Sequence, residues 1–260
     1  MNPLYIAATG MVAQQQRVDV IANNLANMNT TAYQRRRASF NDLLYEDKQR
    51  PNNKHSRADG VVPGGVKAGL GVQTASFYRV VEQGNLRQTD NPLDLAIQGS
   101  GYMPVTLANG DIGYTRAGAF QLDQNGQIVT HDGLPVGGGV TVPPGVIEIS
   151  VNTSGEVFGS FEGQAQPQNL GQIPLVRFPN EGGLKAIGDS LFIETEGSGA
   201  PLTGVAGTGA FGTILQGFVE TSNVNPVEEI SNMVKAMRAY ELSSKVIQTA
   251  DQMMSTRSGG

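Results

Sequence analysis

The stretch VDVIANNLANMNTTAYQRRR, residues 18–37, runs from an apolar helical pattern into a threonine pair and three arginines. The pattern includes Asn23, Asn24 and Asn27, and asparagine weakens a helix because its amide competes for nearby backbone groups. Something outside the helix must compensate for this weakness. We interpret the three amides as contact residues that face a partner. Capping and fraying of the helix end is an equally good interpretation for Asn27 and the residues after it.

Upstream of this stretch, apolar residues recur every seven positions and predict one helix from about Leu4 to Asn27. A second row lies three positions after the first, which is the a/d spacing of a coiled-coil seam with one polar member, Gln14. The seam is too narrow to be stable alone. The two rows are Leu4, Met11, Val18 and Leu25, and Ala7, Gln14, Ile21 and Met28.

The other end of the chain has the same spacing. Pro226, Glu228 and Glu229 suit a first helical turn. A missing N–H is harmless there, and negative charge is attracted to the positive end of the helix dipole. Asn225 or Thr221 can cap this second helix. Its rows are Met233, Tyr240, Ile247 and Met254, and Ile230, Met237, Ser244 and Asp251.

The middle of the chain reads as antiparallel β structure. Asn109-Gly110 and Asn125-Gly126 lie between alternating segments and predict hairpins in which both turn residues have positive φ. Further strands are predicted in VIEISV (146–151), EVFGSF (156–161), PLVRF (174–178) and SLFIET (190–195).

We therefore expect an α+β fold in which the terminal helices pair as a coiled-coil-like layer beside a central β domain. The terminal helical domain comprises residues 1–30 and 226–260, and the β domain comprises 76–225. Residues 31–75 form an extended polar arm, since 45–75 are rich in Gly, Pro and charged residues.

Composition excludes several classes of function. The 260 residues carry a net charge of −5, so nothing favours general binding to nucleic acid or anionic membranes. No cysteine is present, which excludes disulfides and thiolate metal sites. The first 30 residues lack a secretory signal pattern, and no run of 18 apolar residues occurs, so we expect no membrane-spanning helix.

No motif predicts catalysis, a cofactor or a metal. GTGAFG (207–212) has dinucleotide-binding spacing but lacks the strand–turn–helix context, so a loop is expected. DQNGQ (123–127) does not match a calcium loop and is expected to be a hairpin turn. His55 and His131 are the two histidines, and both are expected in surface loops. We predict that the chain is not an enzyme.

Arg35, Arg36 and Arg37 are the one concentrated basic feature. Binding of nucleic acid would need aromatic platforms and a wider positive field. Ion pairing with protein carboxylates, or a solvated face, is the favoured interpretation.

Three separated motifs resemble the rod and hook axial proteins of the bacterial flagellum. The chain is similar to the distal rod members in length and in the run from Gly84 to Gly126. The motifs are IANNLANMNTTAYQRRRASFNDLLY (21–45), QGNLRQTDNPLDLAIQGSGYM (83–103) and QGFVETSNVNPVEEISNMVKAMRAYELSSKVIQTADQMM (216–254).

The resemblance implies a subunit of the basal body that polymerises into the hollow distal rod and carries torque to the hook. Its expected partners are copies of itself, proximal rod and hook subunits, the type III export apparatus, and the peptidoglycan and outer-membrane ring proteins. It would leave the cell without a cleaved signal and span the periplasm to the outer membrane. Alternatives are a proximal rod or hook subunit, or a β enzyme that acts on the cell wall.

The resemblance and the heptad rows together define the expected contact residues. In the arm, Arg50, Lys54 and Arg57 are expected to pair with carboxylates of neighbouring subunits. The expected self-assembly residues are Leu4, Met11, Gln14, Val18, Ile21, Asn23, Asn24, Leu25, Asn27, Ile230, Met233, Met237, Tyr240, Ile247 and Met254.

Overall fold

The computed structural model describes residues 3–47, 67–164 and 166–258. The chain divides into two compact units. The first contains the terminal helices and residues 36–78, and the second contains residues 27–35 and 79–224.

The first unit is built on two helices, α1 (Pro3–Ala26) and α2 (Pro226–Ser258). The predicted helix from Leu4 to Asn27 is confirmed to within one residue at each end. Asn225 caps α2, because its Oδ1 accepts hydrogen bonds from the backbone N–H of Val227 at 3.1 Å and of Glu228 at 3.4 Å.

Short strands complete the first unit. β1 (Arg36–Asp42) pairs with β4 (Val72–Arg79), and β2 (Tyr45–Asp47) pairs antiparallel with β3 (Lys67–Gly69). The two ends of the predicted 45–75 loop are therefore strands. The predicted arm contacts Arg50, Lys54 and Arg57, with His55, lie outside the described residues.

The second unit consists of short strands and one 3₁₀ turn at Glu181–Gly183. The strands VIEISV and EVFGSF occur as predicted, and PLVRF and SLFIET contain shorter ones. The strands are β5 (Leu86–Gln88), β6 (Leu95–Gln98), β7 (Met103–Thr106), β8 (Ile112–Thr115), β9 (Gln121–Leu122), β10 (Ile128–Val129), β11 (Val146–Val151), β12 (Glu156–Phe161), β13 (Gln168–Gln172), β14 (Leu175–Arg177), β15 (Lys185–Gly188), β16 (Leu191–Ile193), β17 (Leu202–Gly204), β18 (Thr213–Gln216) and β19 (Phe218–Glu220).

Antiparallel pairing joins strands that are near and far in sequence. One sheet has the order β15–β16–β8–β7, and a second has the order β11–β12–β13. β9 pairs with β10, β14 with β17, β6 with β18, and β5 with β19. The last two ladders place residues near 90 next to residues near 217, so they join the first and last strands of the β unit.

Both predicted Asn-Gly hairpins form, but their turn type differs from the prediction. Gly110 and Gly126 have φ of 88° and 76°, whereas neither asparagine has positive φ. The N–H of Gly110 bonds to the carbonyl of Leu107 at 2.9 Å. This geometry is a type I turn followed by a left-handed glycine, which suits a loop longer than two residues.

The core of the second unit has two clusters. The larger contains Leu95, Ile97, Phe120 and Ile214, and the smaller is aromatic, with Tyr114 and Phe178 rings 4.8 Å apart. In the described part of the chain, neither helix is apolar over a length that could cross a membrane.

Candidate assembly surface

The two helices pack through small residues. A Cβ on Gly10 would lie 3.7 Å from the Ser243 hydroxyl, and Asn24 lies beside Glu229, so α1 and α2 run in opposite directions. Ala13 and Ala236 are buried at 4% and 1% exposure. Small side chains let the helix axes approach closely, which leaves the larger apolar residues of α2 outside the contact.

The large apolar residues of α2 stay exposed over the length of the helix. Met237 is 53% exposed and Ile230 is 51% exposed. Of the α2 residues assigned to self-assembly, Met233 and Ile247 are partly buried, and the other four are exposed. The exposed set on α2 is Val227, Ile230, Val234, Met237, Tyr240, Leu242, Val246, Met253 and Met254.

The predicted row on α1 faces inward more than the row on α2. Ile21 is buried, and the other predicted apolar members are partly buried: Leu4, Met11, Val18 and Leu25. Gln14 is also partly buried, and its Oε1 has no hydrogen-bond partner among the described residues. The exposed large residues of α1 are Tyr5, Ile6 and Val12, which the heptad rows did not include.

Asn24 stabilises the subunit from inside. It is 1% exposed, and its Oδ1 accepts from the Arg36 N–H at 2.8 Å while its Nδ2 donates to the Arg36 carbonyl at 2.9 Å. Its Nδ2 also lies 3.4 Å from a Glu229 carboxylate oxygen. The amide therefore satisfies both polar groups of one β1 residue, as a neighbouring strand would. This intrachain contact supplies the compensation that an asparagine in the helix requires.

Asn23 and Asn27 have different surroundings. Asn23 is exposed and lines a cavity of about 270 Å³ with Gln16 and Phe77. Asn27 follows the last helical residue, and its Oδ1 accepts from the Thr30 hydroxyl at 3.2 Å. The Thr30 N–H also bonds to the Asn27 carbonyl at 3.2 Å. Both bonds agree with the interpretation of Asn27 as a residue at the end of the helix.

The arginine triplet makes ion pairs within the chain. Arg35 lies 2.9 Å from Glu82, and Arg37 lies 3.6 Å from Glu228. Asn223 accepts from the Arg35 N–H at 2.7 Å and so holds the backbone of the triplet. These two arginines therefore pair with carboxylates of their own chain, and an ion-paired interface with another protein stays a prediction.

β4 is attached to α1 through polar side chains. The Val72 N–H lies 3.4 Å from the Thr9 hydroxyl, and the Thr74 hydroxyl donates to the Gln16 side-chain carbonyl. β2 and β3, which lie on either side of residues 48–66, belong to the same helical unit.

Residues of the second and third family motifs meet at a buried ion pair in the second unit. Arg116 donates from Nε to Glu220 at 2.9 Å, and the two side chains are 5% and 2% exposed. The guanidinium also donates to the carbonyls of Gly101 at 2.8 Å and Gly99 at 3.0 Å. Glu220 accepts from the Gly84 N–H at 3.1 Å. One hydrogen-bond network thus pairs the buried polar groups of residues from the middle and the end of the chain.

Tyr102 lies beside this network. Its hydroxyl donates to Glu181 at 3.1 Å, and the Arg116 guanidinium lies 5.7 Å from its ring centre. Burial, with a smaller contribution from the Glu181 charge, raises the pKa of Tyr102 to about 12. Gly118, in the run from Gly84 to Gly126, passes so close to the Leu95 carbonyl that any Cβ would clash.

The candidate chemical motifs occupy loops and turns. GTGAFG forms the loop between β17 and β18. In DQNGQ, the Asp123 carboxylate accepts from the N–H of Gln127 and of Asn125, each at 2.8 Å, and these bonds lower its pKa. Both segments are as predicted.

His131 lies in a surface loop, with its side chain 65% exposed. Folding brings Asp189 beside His131 and Asp132, with possible ligand atoms within 4.8 Å of one another. The linear spacing could not reveal this cluster, because Asp189 is distant in sequence. All three residues are exposed, and exposed acidic groups commonly lie this close without an ion.

The exposed apolar residues along α2 indicate a surface that a partner covers, since single subunits rarely expose such a face, and they favour an assembling structural protein. The comparisons specify which one. Residues 4–34 match the family described as flagella basal body rod protein, residues 96–159 match the flagellar hook protein FlgE/F/G D1 domain, and residues 215–258 match the flagellar basal body rod FlgEFG protein C-terminal family.

Curated relatives match along the whole chain. The flagellar basal-body rod protein FlgG of Caulobacter vibrioides is 51% identical over 99% of this chain and 98% of its own length. The proteins of the same name from Borreliella burgdorferi and Bacillus subtilis are 41% and 34% identical, and each match covers 98% of this chain and 96% and 97% of the relative. The chain belongs to the flagellar basal-body rod protein family. It is a structural subunit of the distal rod type and not an enzyme.

Proposed function

We propose that the subunit polymerises helically with its two terminal helices in a coiled-coil-like layer around a hollow channel. The observation that carries the proposal is the exposed row on α2, in which Met237 is 53% exposed. Fully burying a side chain of this size contributes about 1.5–3 kcal/mol, so covering one that is half exposed contributes about 1 kcal/mol. Repetition of this gain at every subunit favours the polymer over the monomer.

The contact residues divide by their burial in one subunit. Ile230, Met237, Tyr240 and Met254 offer apolar area to a neighbour, and Asn23 offers an exposed amide. The partly buried residues contribute the edges of the same surface: Leu4, Met11, Gln14, Val18, Leu25, Met233 and Ile247. Ile21, Asn24 and Asn27 serve the subunit's own fold and position the others.

The arm between β2 and β3 adds contacts between copies. Its base is fixed, because β2 and β3 pair with Glu46 opposite Ala68. Arg50, Lys54 and Arg57 in the arm bind carboxylates of neighbouring copies, each with about 0–1 kcal/mol because exposed pairs are weak. A contact at larger radius resists bending more strongly for the same local stiffness, so the arm keeps the rod straight.

Deletion of residues 48–66, with a short glycine linker in their place, tests the arm. We expect tubes that still form and bend more, because β2 and β3 remain to close the ladder. Cryo-electron microscopy of rods from the deletion strain measures curvature. Straight rods would contradict the role in stiffness, and a complete loss of rods would show that the arm is required for assembly itself.

The same assembly defines the partners and the location. The rod continues from proximal rod subunits to hook subunits, passes the peptidoglycan and outer-membrane rings, and transmits torque through the periplasm. The subunit leaves by the type III export apparatus without a cleaved signal. A chain with no cysteine can cross an oxidising compartment without mispaired disulfides.

Negative-stain electron microscopy of the concentrated, purified chain tests polymerisation. We expect tubes of uniform diameter. A chain that stays monomeric at high concentration, with intact circular dichroism, would contradict self-assembly through its own surfaces.

A further inference from the structure

The first unit contains a cavity of about 430 Å³ where α1, β1 and α2 meet. Its apolar wall includes Val20, Ile21 and Phe40. Two arginines, Arg17 from α1 and Arg36 from β1, also line it. The cavity therefore combines apolar side chains with cationic groups from two elements.

The charges at this cavity do not balance. It is lined by three arginines and two glutamates, Glu228 and Glu229. Glu228 pairs with Arg37 at 3.6 Å, and Glu229 is 5% exposed with its carboxylate against the Asn24 amide. Within the described part of the chain, the guanidinium groups of Arg17 and Arg36 have no hydrogen bond or ion pair.

The lining has a net charge of +1, and a partly buried arginine that makes no ion pair is unfavourable because it loses hydration and gains no direct partner. Arg17 is partly buried. A carboxylate is the group that fits, since a guanidinium offers a planar fork of donors that matches its two oxygens.

We propose that this cavity binds a carboxylate on α2 of a second copy of the chain. The inference rests on the proposed polymerisation and specifies one of its contacts. Besides Glu228, which pairs with Arg37, α2 carries two further exposed acids, Glu241 and Asp251, and neither of these has a partner among the described residues. Glu241 lies one helical turn after the exposed Met237, so an acid and an apolar contact occupy the same helix face.

Charge reversal tests the contact. Arg17→Glu places a negative charge in the cavity, and we expect the yield of sedimentable polymer to fall at least tenfold. Arg17→Lys is the matched control that keeps the charge, and it should retain most of the yield. Combining Arg17→Glu with Glu241→Arg or Asp251→Arg should restore polymer in one of the two pairs.

A cross-link keeps the test decisive if Arg17→Glu also disturbs the monomer. The chain has no cysteine, so one copy can carry Ala38→Cys in the cavity wall while another carries Leu242→Cys or Gln252→Cys beside an acid. A short bismaleimide should join differently tagged copies in the polymer with one of the two partners, and not in dilute monomer.

The outcomes separate this inference from the proposed function. Wild-type chain that forms no polymer contradicts the proposed function. Wild-type polymer with equal yield from Arg17→Glu and no cross-link overturns the cavity contact alone. Binding of inorganic phosphate that Arg17→Glu abolishes, with unchanged assembly, would also overturn it and assign the cavity to a free anion.

Discussion

Replacement of Glu220 by glutamine removes one charge from the buried pair and keeps the size of the side chain. In the native chain, Glu220 is 2% exposed and accepts from Arg116 at 2.9 Å and from the Gly84 N–H at 3.1 Å. The variant leaves the buried guanidinium without a counter-charge, and its single amide oxygen can accept from Arg116 or from Gly84 but not from both. Breaking such a pair costs about 3–5 kcal/mol. For a unit of this size, the melting temperature should fall by about 6–20 °C.

Glu82→Gln is the matched control, because Glu82 also meets an arginine at 2.9 Å but is 65% exposed. Exposed pairs contribute about 0–1 kcal/mol, so the control should melt within a few degrees of the native chain. Thermal and urea unfolding followed by circular dichroism give both values. Equal decreases in melting temperature for Glu220→Gln and Glu82→Gln would refute the argument that burial gives the Arg116–Glu220 pair a large share in the stability of the β unit.

Three further changes test other parts of the structure. Met237→Asp should abolish tubes and leave monomer unfolding unchanged, since Met237 is 53% exposed. Ala236→Asp should instead destabilise the helix pair, because Ala236 is 1% exposed. Sedimentation measures tube formation and urea unfolding measures monomer stability, so the two effects are separated. Asn24→Ala removes both side-chain hydrogen bonds to the Arg36 backbone, so it should lower the free energy of unfolding by about 1–3 kcal/mol and speed amide exchange at Arg36. Unchanged exchange at Arg36 would contradict the structural role of these two bonds. The neutral Tyr102 favours the folded state fully below pH 10, and this contribution is lost as pH rises toward its folded pKa of about 12. Tyr102→Phe should therefore show a smaller loss of unfolding free energy between pH 9 and pH 11.5, and an identical loss would contradict the raised pKa.

The sequence predicted the features that depend on local pattern. Both terminal helices follow from apolar spacing and from the capping Asn225. The hairpins at Gly110 and Gly126 follow from turn chemistry. The type of turn does not, because the neighbouring strands set the length of the loop.

The pairing of the terminal helices was predicted, but the register of contacts between distant residues was not. The ladder of β5 with β19 and the Arg116–Glu220 pair join residues more than one hundred positions apart, and a local pattern contains no information on such register. The helix contact uses Ala13 and Ala236, which a search for large apolar residues passes over. Asn24 was interpreted as an outward contact, because its backbone partner Arg36 becomes a neighbour only after folding.

The central claim is that the exposed face of α2 is covered by other copies in a tubular polymer. Cryo-electron microscopy of the purified chain, taken to side-chain resolution, tests it most directly. The account predicts terminal helices in the innermost layer with Ile230 and Met237 buried between copies. A tube in which these two side chains still face solvent, while the β units alone make the contacts, would contradict it.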